Sequence, residues 1–178
     1  MEKPESYGAV AKLLHWLLFA LVAAQFAIAW TMPDIGRDTR AEGLIAWHLA
    51  LGTLILLLVV IRLLWRLLHP APPALVTQPP WQRSLARLVH ILLYAVLLSL
   101  PVLGWGNASS RGWDVSLFGV IRLPPLFDKG STVGHELGDI HSAGAIVLLI
   151  LVGLHAAAAF YHHFVAKDGT LGRMLPRR

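Results

Sequence analysis

The stretch from residue 140 to residue 166, IHSAGAIVLLILVGLHAAAAFYHHFVA, decides the fold of this chain. Its 27 residues include no Asp, Glu, Lys or Arg, and about 20 residues of helix are enough to cross a hydrocarbon layer of about 30 Å. Three further charge-free runs of 19 to 23 residues precede it, at 13–33, 43–61 and 88–110. The sequence therefore predicts four membrane-spanning helices, at approximately 10–32, 43–68, 84–106 and 137–165.

The composition supports the same class of protein. The 178 residues are 56% apolar and 14% charged, whereas a soluble domain is about 45 to 50% apolar and about 25% charged. Four spans use most of the chain, so we expect a single all-α membrane domain over residues 1–178, with the first span a retained helix because it is too long for a secretory signal. The absence of cysteine excludes disulfides, thiolate metal sites and iron–sulfur clusters.

The basic residues predict the orientation of the bundle. The two termini and the segment between the second and third spans hold ten Lys and Arg, and the other two connections hold five. Since basic residues concentrate on the cytoplasmic side, we expect both termini to be cytoplasmic in a bacterial inner membrane. The net charge of +5 then reflects membrane topology and gives no indication of nucleic-acid binding.

Four of the nine histidines are predicted to lie inside the spans at two depths. Fourteen residues separate His141 from His155 on the fourth span, which is nearly four helical turns and about 21 Å, so both share one face. His48 on the second span can meet His141 near the outer side, and His15 on the first can meet His155 near the inner side. Two facing pairs of imidazoles are the axial ligands that two b-type haems require.

Histidines in membrane helices also have roles besides haem ligation. A lone histidine is often only a hydrogen-bond donor to a neighbouring helix, and an ion or metal transporter can use histidines as transient ligands. Zinc fits the pattern poorly, since it prefers four tetrahedral ligands at one level. The matched depths favour haem, and small residues nearby (Ala29, Gly52, Gly144 and Gly153) would leave space for a porphyrin.

Three polar residues are candidates for contact with a haem propionate or a quinone. Arg62 and Arg66 follow His48 by fourteen and eighteen residues and lie at or below the inner level, where an arginine can pair with a carboxylate. Their alternative role is snorkelling to the cytoplasmic interface. His162 lies seven residues beyond His155 on nearly the same face. We expect the remaining histidines to be structural or interfacial, namely His69, His90, His135 and His163.

The connection from residue 111 to residue 139 is long and mixes aromatic residues with Gly and Pro. Loops of this length are uncommon unless they are functional or disordered, and its aromatic content favours packing over the outer ends of the helices. The outer segments carry five basic and seven acidic residues, so attraction of an anion there requires a local positive cluster drawn from Arg111, Arg122 or Lys129.

These residues resemble those of the bacterial cytochrome b561 family of small four-helix dihaem cytochromes. The resemblance covers essentially the whole chain and rests on Leu14-His15-Trp16, His48, RLLWRLLHPAPP at 62–73 and GLHAAAAFYHHFVAKDGTLGRMLP at 153–176. The family's haem ligands match His15, His48, His141 and His155. A branch of this family resembles a superoxide oxidase, which passes electrons from superoxide through two haems to ubiquinone.

The resemblance implies an enzyme with two haem b groups, with ubiquinone and superoxide as substrates and lipid as its surroundings. The alternative is a non-catalytic electron carrier or membrane anchor that links the quinone pool to a separate redox protein.

Overall fold

The computed structural model describes residues 6–36, 38–73 and 78–175. Within them the chain forms, in order, α1 (Ala9–Thr31), α2 (Gly43–Leu68), α3 (Pro80–Ser110), β1 (Ser116–Leu117), β2 (Ile121–Arg122) and α4 (Thr132–Tyr161), followed by a π-helical turn at His162–Ala166 and a 3-10 turn at Leu171–Arg173. Some residues that enter the sequence patterns lie outside the described residues, namely Lys3, Arg37, Pro176, Arg177 and Arg178.

The predicted spans match α1 and α2 to within one residue. The third (84–106) is four residues short of α3 at each end, and the fourth (137–165) begins five residues after α4 and ends four residues after it, within the π-helical turn. Helix α3 begins at Pro80 because proline suits the first turn of a helix, where its missing N–H costs nothing. It continues to Ser110, beyond the end of the predicted span. Helix α4 begins at Thr132 because the side chain of Ser131 accepts a hydrogen bond from the N–H of Gly134 and caps the helix. The prediction rested on apolar length, and both helices extend past the hydrocarbon region.

The four helices form an all-α membrane bundle, as predicted. Each is long and apolar enough to cross a bilayer, and large apolar side chains are exposed on the outside of the bundle, among them Leu64 and Ile146. Such an apolar exterior is what lipid requires. Inside, Leu18 of α1 packs against Ile55 and Val59 of α2.

Helices α3 and α4 approach closely through small residues. A Cβ on Gly134 would lie 2.5 Å from the Cβ of Ser110, and one on Gly144 would lie 2.7 Å from a methyl group of Leu100. This spacing of small residues is typical of tightly packed membrane helices. The expectation that Gly144 leaves space for a porphyrin is wrong, because Leu100 fills that space.

The connection between α3 and α4 folds over one end of the bundle, as expected from its aromatic content. The indole N–H of Trp105 donates to the carbonyl of Pro124 at 3.0 Å, and that of Trp113 donates to the carbonyl of Thr39 at 3.2 Å. Val115 is buried beneath it. The loop therefore covers the ends of the helices that carry His48 and His141.

The opposite end of the bundle is covered by the C-terminal segment. The ammonium group of Lys12 donates to the carbonyl of Leu175 at 2.8 Å, and the indole of Trp16 donates to that of Met174 at 2.9 Å. The beginning of α1 and the last described residues thus lie on the same side of the bundle.

Candidate metal centres

The first pair of histidines lies at the end covered by the long loop. The imidazole centroids of His48 on α2 and His141 on α4 are 6.1 Å apart, with the rings inclined at 75°. Both rings line a cavity of about 390 Å³, whose wall is mainly apolar. The cavity also includes Ala29 and Gly52, two of the small residues that were expected beside a cofactor.

The second pair lies deeper along α4, toward the opposite end. The centroids of His15 on α1 and His155 on α4 are 6.0 Å apart, with the rings inclined at 80°. Both predicted pairs are thus brought together by the fold, at two levels of one helix.

The spacing within each pair fits a single metal ion between two imidazoles. A metal–imidazole bond is about 2 Å long and the ring centroid lies about 1 Å behind the ligating nitrogen, so two imidazoles on opposite sides of one ion have centroids about 6 Å apart. The observed 6.0 and 6.1 Å match this value. Two imidazoles that pack directly or hydrogen-bond to each other do not require a centroid separation of this size.

The ring of His141 is oriented by the neighbouring helix. Its Nδ1 lies 2.9 Å from the carbonyl oxygen of Leu100, and because a carbonyl only accepts, Nδ1 carries the proton. Nε2 is then left with its lone pair, which is the form that a metal ligand needs. On the same neighbouring helix, a Cβ on Gly104 would lie 3.1 Å from Cε1 of His141, so a larger residue there would push the ring aside.

Two buried polar atoms near the same cavity have no hydrogen-bond partner among the described residues. They are Nδ1 of His48 and Oε1 of Gln25. The amide of Gln25 donates to the backbone carbonyl of His48 at 2.9 Å, which fixes Gln25 beside the histidine. Because buried polar atoms without partners are costly, their presence here fits a site that binds another group.

The two candidate arginines occupy different surroundings. Arg62 reaches into the bundle, where Nη1 donates to the carbonyl of Ala11 at 2.7 Å and the guanidinium lies near the side chain of Tyr94. Arg66 lies over the ring of Tyr7, with 5.9 Å between its Cζ and the ring centroid. The charge of Arg62 acts on both His15 and His155, so Arg62 is the arginine that lies beside the second histidine pair.

His162, the third candidate, forms a tight pair with an acidic residue just beyond the end of α4. Its Nδ1 lies 2.6 Å from Oδ2 of Asp168. Burial alone would raise the pKa of Asp168, but hydrogen bonds from Thr170, Gln78 and His162 outweigh it and lower that pKa. The carboxylate therefore stays ionised and holds the His162 ring in one orientation.

Several members of these sites were not expected from the sequence. His90 on α3 lies 5.2 Å from His155 between ring centroids, a partner that the sequence did not indicate for it. Its depth on the third span was the available signal. Gln25 and Asp168 gave no comparable signal, because nothing in their spacing indicates which histidine they approach.

Comparisons with known proteins agree with this arrangement. The family model described as prokaryotic cytochrome b561 matches residues 6–177. The chain belongs to the prokaryotic cytochrome b561 family. Cytochrome b561 homolog 2 of Escherichia coli (strain K12) is 32% identical over 176 residues, which cover 97% of this chain and 92% of that protein. The probable superoxide oxidase CybB of Yersinia pestis is 31% identical over 178 residues, covering 98% of each chain.

A more distant relative is cytochrome b562 of Cereibacter sphaeroides, 27% identical over 186 aligned positions that span both chains. Membership of the cytochrome b561 family makes this chain a bacterial membrane protein that binds b-type haem and transfers electrons. The paired histidines, the oriented ring of His141 and the unpartnered buried atoms fit such a group.

Proposed function

We propose that this cytochrome b561 holds two haem b groups in a bacterial inner membrane, oxidises superoxide to oxygen and reduces ubiquinone. The observation that carries the proposal is the arrangement along α4, where His141 and His155 each face a histidine of another helix at about 6 Å. Fourteen residues of helix place these two levels about 21 Å apart, so together they extend across most of the hydrocarbon layer.

In this proposal His48 and His141 ligate the outer haem iron, and His15 and His155 ligate the inner one. Bound haem supplies one-electron oxidation and reduction, while the protein provides ligation, orientation and an apolar surrounding. The carbonyl of Leu100 keeps the His141 ring in the ligating tautomer. The mainly apolar cavity wall excludes water from this level. Both termini are assigned to the cytoplasm on the distribution of Lys and Arg.

Arg111 beside the outer cavity, together with Lys129 in the same loop, supports an anionic substrate. Arg111 donates from Nε to Oδ1 of Asn107 at 3.2 Å, and its Cζ lies 5.4 Å above the ring of Trp113. Asn107 and Trp113 both line the cavity. The aliphatic chain of Lys129 lies against Gly112, which follows Arg111 in the chain: a Cβ on Gly112 would lie 2.9 Å from Cδ of Lys129. A local positive field of this kind attracts superoxide despite the acidic excess of the outer segments.

The opposite end supports reduction of a quinone. Two superoxide ions, one quinone and two protons give two molecules of oxygen and one quinol, so protons must reach the quinone. His162 suits this task, because Asp168 holds its Nδ1 proton and Nε2 is left to take up and release another. We assign Arg62 and Arg66 to contact with the quinone or with a haem propionate, with Arg62 nearer the second histidine pair.

The deciding experiment uses detergent-purified protein with haem per chain quantified, followed by a pulse of superoxide with ubiquinone present. Two b-type haems that reduce at once and reoxidise with quinone support the proposal. Reduction only by quinol or dithionite would instead indicate the alternative, a non-catalytic carrier or membrane anchor that serves a separate redox protein. Absence of haem would overturn the whole assignment.

A further inference from the structure

The short hairpin β1–β2, residues 116–122, exposes an apolar tip. Phe118, Val120 and Ile121 are 47%, 84% and 54% exposed. Exposing such side chains to water is unfavourable by about 25 cal/mol per Å² of apolar area. A hairpin tip in water normally carries polar turn residues, so this composition indicates another surrounding.

The backbone of the tip is strained to present Phe118. The N–H of Val120 donates to the carbonyl of Leu117 at 3.0 Å, which closes a tight turn, and Phe118 within that turn has φ of +49°. A bulky residue in the left-handed region is unusual and strained. The ring of Phe118 packs against that of Trp47, with centroids 5.7 Å apart, so the strained conformation places it on the flank of α2.

The position of Trp47 gives the depth of the tip. Trp47 is 55% exposed and is the fifth residue of α2, inside the charge-free run at 43–61. The 26 residues of α2 span about 39 Å, which exceeds a hydrocarbon layer of about 30 Å by roughly three residues at each end. Trp47 therefore lies at the boundary between headgroups and acyl chains, where amphipathic rings concentrate.

The exposed tip is thus continuous with the apolar outer surface of α2. The hairpin lies beside the first two turns of that helix, close to Ala46 and Ala50. Arg122 follows the apolar tip and is exposed, which suits contact with phosphate groups. We propose that the hairpin at residues 116–122 is embedded in the interfacial layer of the bilayer and anchors the long loop to lipid.

This anchoring connects the membrane surface to the covered cavity. The N–H of Leu123 donates to the carbonyl of Val115 at 2.9 Å, and Val115 is buried and lines the cavity of His48 and His141. Lipid therefore holds one edge of the loop in place over the outer metal centre. Such a lipid contact is independent of the direction of electron transfer and of superoxide as substrate.

The test uses the absence of cysteine from the chain. Val120→Cys introduces a single thiol at an exposed position, which is labelled with an environment-sensitive fluorophore in the haem-loaded protein and reconstituted into nanodiscs of phosphatidylethanolamine and phosphatidylglycerol. Asp128→Cys, in the same loop and also exposed, is the matched control. Two quenchers are compared: aqueous iodide, and lipid with a doxyl group near the glycerol end of its acyl chain.

We expect the label at residue 120 to emit at shorter wavelength than the label at residue 128 and to be quenched by the doxyl lipid. We also expect iodide to quench it at least about twofold less than it quenches the label at residue 128. Equal iodide quenching at both positions, without quenching by the doxyl lipid, would overturn the proposal. Protection from both quenchers would also overturn it, since a protein surface would then cover the tip.

Discussion

The imidazole of His90 lies 5.2 Å from that of His155 between ring centroids, closer than the 6.0 Å that separates His15 from His155. Two imidazoles that share one metal ion have centroids about 6 Å apart, so the separation of His15 and His155 fits such a pair better than that of His90 and His155. We therefore propose His15 as the ligand opposite His155, with His90 as a neighbour beside the pair.

Replacing His90 tests that assignment. His90→Phe keeps a planar ring of similar breadth, so we expect the purified protein to retain about two haems per chain. Loss of a polar neighbour should change the reduction potential of the inner haem alone, which a spectroscopic redox titration resolves. Retention of only one haem by His90→Phe, with two retained by His15→Ala, would show that His90 is the ligand.

The two histidine pairs predict selective loss of haem. His48→Ala or His141→Ala should remove the outer haem, and His15→Ala or His155→Ala the inner one, so each variant should retain about one haem per chain. Haem content measured by the pyridine haemochrome assay, with helicity followed by circular dichroism, checks this result. His135→Ala is the control, because His135 is exposed in the first turn of α4 and belongs to neither pair. Loss of both haems from a single replacement in a folded protein contradicts the pairing.

Gly104 provides a test of the ring orientation at the outer centre. A Cβ there would lie 3.1 Å from the His141 ring, so Gly104→Ala should require a shift of a few tenths of an ångström and Gly104→Val a larger one. We expect the outer haem to be bound more weakly in that order, by roughly tenfold or more for valine. The inner haem is the internal control, and equal loss of both haems would show a general folding defect instead.

The pair of His162 and Asp168 predicts a dependence on pH. Hydrogen bonds that outweigh burial lower the pKa of Asp168 below its ordinary value of 3.8, so the ionised carboxylate is favoured in the folded protein. Its stabilising contribution is complete above that ordinary value and disappears as the pH falls through the lowered folded pKa. Thermal unfolding of the wild type should therefore shift to lower temperature on acidification below about pH 4, with a smaller shift in Asp168→Asn.

The same variant separates a proton-handling role from a structural one. Asp168→Asn removes the negative charge opposite His162 and should slow quinone-dependent haem reoxidation several-fold, while haem reduction by dithionite is unchanged. Thr170→Val removes one hydrogen bond to the carboxylate and should have a smaller effect. An unchanged reoxidation rate in Asp168→Asn across pH would exclude the pair from proton transfer.

The positive cluster at the outer rim predicts a dependence on salt. Arg111→Gln combined with Lys129→Gln should lower the rate of haem reduction by superoxide about tenfold at low ionic strength, and should weaken the decrease that added salt causes in the wild type. Arg40→Gln is the control for Arg111→Gln alone, because each removes one positive charge, and Arg40 is highly exposed and lies 3.9 Å from Glu42. A control as slow as Arg111→Gln would indicate an effect of net charge rather than of this cluster.

The helical membrane class, the resemblance to the family and the histidines that pair were all predictable from the amino-acid sequence alone. Charge-free runs of about 20 residues have one stable solution in lipid, since each backbone polar group must be satisfied within its own helix. Helical periodicity then places His141 and His155 on one face at two depths, and those depths select His48 and His15 as their counterparts. All of these follow from distances along one helix or from the thickness of the membrane.

The groups that surround each pair became visible only in the three-dimensional packing of the helices. The approach of His90 to His155, the carbonyl of Leu100 on His141, and the neighbourhood of Gln25 and His48 depend on how helices rotate and pack against one another. The same holds for Asp168, which reaches His162 only because the chain reverses after α4. Periodicity gives the face and depth of a residue on its own helix, whereas contacts across helices depend on side-chain packing that no single helix encodes.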